Sequence, residues 1–395
     1  MVGLRVRALL LIGSLLSATS AVSVAAAPPE PVAFVVGVRD LPEDHAPFHG
    51  EPVASSDADL RYVLVNARNP TAFEARARGD PNVRYVEEDR LDVHALLTPN
   101  DAHYAVHQYD MKAGTTNISS AWDTTLGTSS AKVCVTDTGL YREHEDFADL
   151  TLLGFADFTG TRRKQPGPFD DNGHGTHVTG TIAAATDNGK GVAGIAQASI
   201  LSAKVLNRQG SGTFTMVANG FKWCADQGAH ILGASLGASS GSSVIQDAVA
   251  YAQARGVLII AAAGNSGPCE NCVGYPAAYA GVLAISCTDA ANALCSFSST
   301  GPQVALAAPG KSILSTWPKG IAPCPKSSGN SCYVFASGTS MSTPHVAGLA
   351  ALVKSAHGTH DAAAIEAALR GSARDLGPSG NDPSFGSGLI QGTAV

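Results

Sequence analysis

Lys132-Val133-Cys134-Val135-Thr136-Asp137-Thr138-Gly139 is a short apolar run that ends on a carboxylate and a glycine. It reads as a buried strand whose last residue reaches the edge of a sheet. Similar runs recur along the chain at Ile200–Val205, His230–Ala234, Val257–Ala263 and Val282–Ser286. Helical patterns lie between and after them, over Gly175–Ala185, Thr215–Gln227, Val244–Arg255 and Thr343–Ala356. Short apolar strands alternating with helices imply an α/β fold, a parallel sheet with helices on both faces. In such sheets chemistry gathers beyond the carboxyl ends of the strands.

The chain has 395 residues, 45% of them hydrophobic and only 15% charged, with 42 Gly and a net charge of −7. That composition excludes a coiled coil, a highly charged disordered chain and a basic nucleic-acid binder. Arg5 and Arg7, the apolar stretch Ala8–Leu16 and the small residues Ala25-Ala26-Ala27 read as a secretory signal over residues 1–27. No later segment is long and apolar enough to anchor the chain in a membrane. Residues 28–97 hold seven Arg and thirteen Asp or Glu, while every Lys and all eight Cys lie beyond residue 97. The acidic segment therefore reads as a separate small domain. Val32–Val38, Leu60–Ala67 and Val83–Val86 look strand-like within it, and Pro70–Arg78 looks helical. Eight cysteines in an exported chain suggest up to four disulfides. Local spacing favours Cys269–Cys272, Cys287–Cys295 and Cys324–Cys332, leaving Cys134 with Cys224. Zinc at Cys269-x-x-Cys272 is the competing reading, but no second close Cys/His pair lies near it.

Four glycine-rich clusters carry the chemistry. Asp-Thr-Gly at 137–139 is ambiguous, because it also occurs in aspartic proteases, which need two carboxylates. No second such motif is present. Asp171-Asn172-Gly173-His174-Gly175-Thr176-His177 sets an imidazole where a loop enters a helix. Ala261-Ala262-Ala263-Gly264-Asn265 delivers an amide donor at a strand end. Gly338-Thr339-Ser340-Met341-Ser342-Thr343-Pro344-His345 puts a serine near a helix N-terminus, among free N–H groups and a favourable dipole. Each cluster alone has an ordinary structural explanation. Together they supply the orienting acid, the base, the oxyanion donor and the nucleophile of acyl transfer, in the order Asp…His…Ser.

The long motifs around His174 and Ser340 resemble those of the subtilisin-like serine proteases, thermitase- and proteinase K-like members in particular. The likeness covers residues 98–395, and residues 28–97 resemble the family's inhibitory propeptide. It implies a subtilisin-like three-layer parallel sheet with helices on both faces, preceded by a small α+β propeptide. It also implies a secreted, monomeric serine endopeptidase acting on protein and peptide substrates, with self-cleavage between about Val93 and Thr98. Ser340 would be the nucleophile, His174 the general base, Asp137 its orienting partner, and Asn265 an oxyanion donor. Gly210, Ser211, Gly212, Ser235, Leu236 and Gly237 would flank an extended substrate. Gly264 and Gly274 would line S1, favouring large apolar or aromatic P1 residues, and Phe214 would cover S4. The loop Ser266–Val273 departs from common family forms. A structural Ca²⁺ site is implied by Asp101 and Asp146 with Ala185, Asn188, Lys190 and Val192. The propeptide would act as an intramolecular chaperone and inhibitor. The alternative is a non-catalytic secreted binding scaffold on the same fold.

Overall fold

The computed structural model describes residues 31–395 except 43–45, 60, 89–97, 162–166, 168 and 359–360. The signal segment and most of the expected self-cleavage stretch lie outside the described residues. The chain divides into two compact units, Met1–His94 and Ala95–Val395.

The first unit contains β1 (Val32–Val38), β2 (Val53–Asp57), β3 (Tyr62–Ala67), α1 (Pro70–Arg78) and β4 (Val83–Glu88). The strands form an antiparallel sheet in the order β2-β3-β1-β4. Asn69 opens α1, its Oδ1 accepting from Ala72 N at 3.2 Å, and Pro70 occupies the first turn where its missing N–H costs least. Phe73 and Ala77 turn inward from α1, and Phe73 meets Phe34 of β1 at 5.3 Å between ring centroids. Val36, Val63, Val65 and Val86 complete this core. The sequence reading missed β2, whose Ala54, Ser55 and Ser56 are exposed. It is an edge strand held by backbone pairing to β3, so its pattern carries little apolar signal.

The second unit begins with the short helix α2 (Tyr104–His107). It continues through β5 (Lys132–Asp137), β6 (Leu152–Asp157), α3 (His174–Ala183), β7 (Ser199–Lys204), α4 (Phe214–Asp226), β8 (Ile231–Ala234) and α5 (Ser243–Gln253). Then come β9 (Leu258–Ala262), β10 (Val282–Thr288), β11 (Val304–Pro309), β12 (Ile313–Thr316), β13 (Tyr333–Ala336), α6 (Thr339–His357) and α7 (Ala362–Gly371). β5 to β11 build a seven-stranded parallel sheet ordered β11-β10-β9-β8-β5-β7-β6. Alternate residues of each strand serve two cores. Val133, Val135, Ile231 and Ile260 pack with Val178, Ile182, Val346 and Leu349 of α3 and α6. Cys134, Leu232, Ile259 and Ala261 pack with Phe221, Ile245 and Val249 of α4 and α5. Helices thus cover both faces, as expected for strands that read as continuous apolar runs. Strand order reverses at β5, which opens a crevice beyond its carboxyl end.

β6, β11, α7 and the antiparallel pair β12–β13 were not anticipated. Among the anticipated helices, α6 begins at Thr339 rather than Thr343. Pro344 therefore lies inside the helix, where it cannot donate to the carbonyl of Ser340 four residues back. That carbonyl instead accepts from Ser235 Oγ at 2.8 Å. The helix tolerates the proline because a side chain from the end of β8 replaces the lost hydrogen bond. All eight cysteines pair, as Cys134–Cys224, Cys269–Cys272, Cys287–Cys295 and Cys324–Cys332.

Candidate active site

Asp137, the last residue of β5, is 1% exposed at its side chain. Its Oδ1 accepts from Thr138 N at 2.7 Å and from His174 Nδ1 at 2.8 Å. His174 opens α3, one residue after Gly173, whose φ of 111° suits a residue without Cβ. Asp170 fixes the approach: its carboxylate accepts from the backbone N of Asn172, Gly173 and Thr176 and from Thr176 Oγ1. Burial disfavours a charged His174. The charge and hydrogen bond of Asp137, with Asp170 behind, outweigh that and hold the imidazole above its ordinary value. Its side chain keeps 28% exposure, so the ring remains reachable from the cleft. With Nδ1–H donated to Asp137, the neutral ring carries its lone pair on Nε2.

Ser340 lies in the first turn of α6, and its Oγ donates to Ser235 O at 3.1 Å. The sequence reading expected this hydroxyl to face His174. Both residues line one cleft of about 500 Å³, but the hydroxyl donates to the carbonyl of Ser235, the residue after β8. Asn265 follows the end of β9. Its Oδ1 accepts from Thr339 N at 2.9 Å and Thr339 Oγ1 at 3.1 Å, which commits the oxygen and leaves Nδ2 as a directed donor. A Cβ at Gly338 would sit 3.3 Å from that Nδ2 and 3.7 Å from Ser340 N, so both donors border the same small space.

Gly210, Ser211, Gly212, Phe214, Ser235, Leu236 and Gly237 line the 500 Å³ cleft with His174 and Ser340. Gly264 and Gly274 line an adjoining cavity of about 570 Å³ that also reaches Asn265 and Ser340. The structure therefore brings His174, Ser340, Asn265 and the expected subsite residues into two neighbouring hollows, with Asp137 buried behind His174.

The sequence reading missed Lys204. This fully buried side chain at the end of β7 donates to Thr138 O, Asp171 Oδ1 and Leu206 O at 2.6–2.8 Å. One ammonium thereby ties the turn after Asp137, the loop before His174 and the segment entering the cleft wall. An isolated Lys in an apolar strand was the available signal. His177, three residues after His174, does not join it in the cleft. Its Nε2 faces the carbonyls of Ile313 and Val334 at 3.0 Å each, and burial pushes its pKa down to about 4.

The residues expected to hold calcium also converge. Asp101, ahead of α2, accepts from Asp187 N at 2.8 Å. Asp146 accepts from Val192 N at 2.9 Å and Asn188 Nδ2 at 3.1 Å, while Ala185 N donates to its backbone carbonyl. Lys190 is exposed, and its N donates to Asn188 Oδ1 at 2.7 Å. Asp101 Oδ1 is buried without a partner. Burial pushes the Asp101 carboxyl up to about 6, and the charges of Asp146 and Asp187 add to the rise. A bare buried carboxylate oxygen between acidic neighbours suits a hard cation. No cluster of three or more His, Cys, Asp or Glu side chains able to hold a metal occurs among the described residues. Nor is any helix among them long and apolar enough to cross a membrane.

Comparison with known proteins matches this geometry. The subtilase family profile covers residues 128–388. Thermitase of Thermoactinomyces vulgaris is 42% identical over 286 residues, spanning 72% of this chain and 94% of that protein. A thermostable alkaline protease of Halalkalibacterium halodurans is 35% identical over 363 residues, spanning 87% of this chain and 94% of that protein. A solved protease structure from Pseudoalteromonas arctica superposes with a TM-score of 0.64 at 29% identity, covering 75% of this chain and 98% of the other. The chain belongs to the subtilase family and is a subtilisin-like serine protease.

Proposed function

We propose that the protein is a secreted endopeptidase, made with an inhibitory propeptide, that cleaves peptide bonds through an acyl-enzyme on Ser340. The observation that carries this reading is the 2.8 Å contact of His174 Nδ1 with buried Asp137, beside a cleft shared by His174 and Ser340. Rotation about the Cα–Cβ bond turns the Ser340 hydroxyl from the Ser235 carbonyl toward His174 Nε2. His174 takes the proton as Oγ bonds to the scissile carbonyl carbon. Asn265 Nδ2 and Ser340 N receive the developing oxyanion. His174 then gives the proton to the leaving amine, and an ester on Ser340 remains for water to hydrolyse. Asp137 keeps the imidazole in the tautomer this sequence requires. The base must be neutral to act, so the rate falls as pH drops through the raised pKa of His174.

Extended substrate would lie along Gly210–Gly212 and Ser235–Gly237, where main-chain pairing admits many sequences. The 570 Å³ cavity would take a large apolar or aromatic P1 side chain, and Phe214 would cover S4. Residues 1–27 would direct export, and 28–97 would fold as the chaperone and inhibitor of 98–395. The catalytic unit would act as a monomer. Asp101, Asp146 and Asn188, with the carbonyls of Ala185, Lys190 and Val192, would hold a structural Ca²⁺. That ion would neutralise two buried carboxylates, and the Asn188 amide would turn its oxygen inward.

Ser340→Ala is expected to abolish hydrolysis of a peptide anilide and labelling by a sulfonyl fluoride, while thermal unfolding stays close to that of the unaltered chain. Retained hydrolysis in this variant refutes the reading.

A further inference from the structure

Every residue of β7 is buried, and the last of them, Lys204, carries a charge. Its register partner across the parallel ladder is Asp137. Taking an ammonium out of water is costly, and well-packed apolar side chains often serve stability as well as a buried ion pair does. This ammonium is nevertheless fully satisfied. Its three N–H donors reach Thr138 O at 2.6 Å, Asp171 Oδ1 at 2.7 Å and Leu206 O at 2.8 Å. The Phe169 ring adds a cation–π contact, with Nζ 5.1 Å from its centroid.

Each acceptor stands one step from the Asp137–His174 pair. Thr138 N donates to Asp137 Oδ1 at 2.7 Å, and Thr138 Oγ1 accepts from Gly175 N, next to His174, at 2.8 Å. Asp171 precedes Asn172, whose Oδ1 accepts from His174 N at 3.1 Å. Leu206 lines the cleft with His174 and Ser340, and its N donates to Asp137 O at 3.1 Å.

We propose that Lys204 is a positioning residue for the reaction: with Asp171 it forms a net-neutral pair that holds Asp137 and His174 in working geometry and sets how basic the imidazole is. The inference rests on the endopeptidase reading above and goes beyond it, because that reading gives neither partner a part. Asp137 and Asp170 face His174 and favour its charged form. His177, the next imidazole along α3, is kept neutral by burial. Asp157, the other register partner of Lys204, turns its Oδ1 to Thr159, and Arg208 is exposed. While Lys204 and Asp171 are paired they add no net charge to this set. Removing the ammonium alone leaves a carboxylate that favours protonated His174. Removing the carboxylate alone leaves an ammonium that disfavours it.

Three variants of the mature enzyme separate charge from packing: Lys204→Met, Asp171→Asn and the two combined. Rates on a peptide anilide are divided by the active-site concentration, titrated to completion with a sulfonyl fluoride, so unfolded material does not count. Lys204→Met is expected to lower kcat about tenfold or more while KM changes by less than about threefold. The acid limb of kcat/KM should move up by about half a pH unit in Lys204→Met and down by about as much in Asp171→Asn. In the charge-neutral double variant it should return to within about 0.2 unit of the parent. A lysine that only fills space and ties segments together would lower rates without moving the limb in opposite directions. Limbs that stay in place, or that move the same way in both single variants, overturn the inference. So does a double variant displaced as far as either single one. If Lys204→Met does not fold, the direction of the shift in Asp171→Asn decides alone. Absence of both hydrolysis and sulfonyl labelling in the unaltered enzyme overturns the endopeptidase reading and this inference with it.

Discussion

The two larger sheets differ in how they treat their strands. Every residue of β9 and β10 is buried, whereas β4 buries only Val86. A parallel sheet covered on both faces brings all its carboxyl ends to one edge. Asp137 ends β5, Ser235 follows β8 and Asn265 follows β9, so three strands deliver polar groups to one crevice. The antiparallel sheet sends alternate strand ends to opposite edges and covers one face with α1. It can build a core around Phe73, but its topology gathers no comparable set of side chains. Chemistry in this chain follows from strand direction as much as from residue type.

The comparison breaks if Phe73 does not anchor the antiparallel core. In the full-length Ser340→Ala background, where self-cleavage is blocked, Phe73→Ala is expected to destabilise the antiparallel unit by about 3–5 kcal/mol. Calorimetry that finds its transition unmoved would take Phe73 out of that core. Asn265→Ala sharpens the contrast from the other side. It should lower kcat by about 10²–10³, a magnitude taken from subtilisin itself, with Tm within a few degrees of the parent. An equal loss of stability and rate would make Asn265 a structural anchor for Thr339 instead.

A smaller effect concerns the loop after α3. Asp101 ionises at about 6 in the folded protein against 3.8 for an ordinary aspartate. The stability linked to its protonated form is complete below 3.8 and is lost as pH rises through about 6. Calcium should therefore raise Tm most above that range. At a hundredfold excess over Kd the gain is about 2.7 kcal/mol, a few degrees for a domain of this size. Differential scanning fluorimetry at pH 8 and pH 5, with calcium or chelator, tests this. Asp101→Asn should remove most of the difference between the two pH values.

Much of this was legible in the residues. Lys132–Asp137 announced a strand and its terminal carboxylate, and Pro70–Arg78 announced a helix through the proline in its first turn. What escaped was set by tertiary context. β2 is an edge strand with little apolar signal, and β12 and β13 find their pairing only with each other. The start of α6 at Thr339 goes with Ser235 capturing the carbonyl that Pro344 releases, that of Ser340, 105 residues after Ser235. Lys204 reads as a stray charge until three separate segments are seen to meet its ammonium. The Ser340 hydroxyl turned toward Ser235 is a matter of rotamer, which no motif encodes.

Gly338 acts through what it lacks. Its missing side chain leaves open the space that Asn265 Nδ2 and Ser340 N border. On the proposed mechanism, a single methyl group there, 3.3 Å from Asn265 Nδ2, would crowd the volume into which a substrate's carbonyl oxygen swings as it turns tetrahedral. On that reading the vacancy serves the reaction as much as the groups around it.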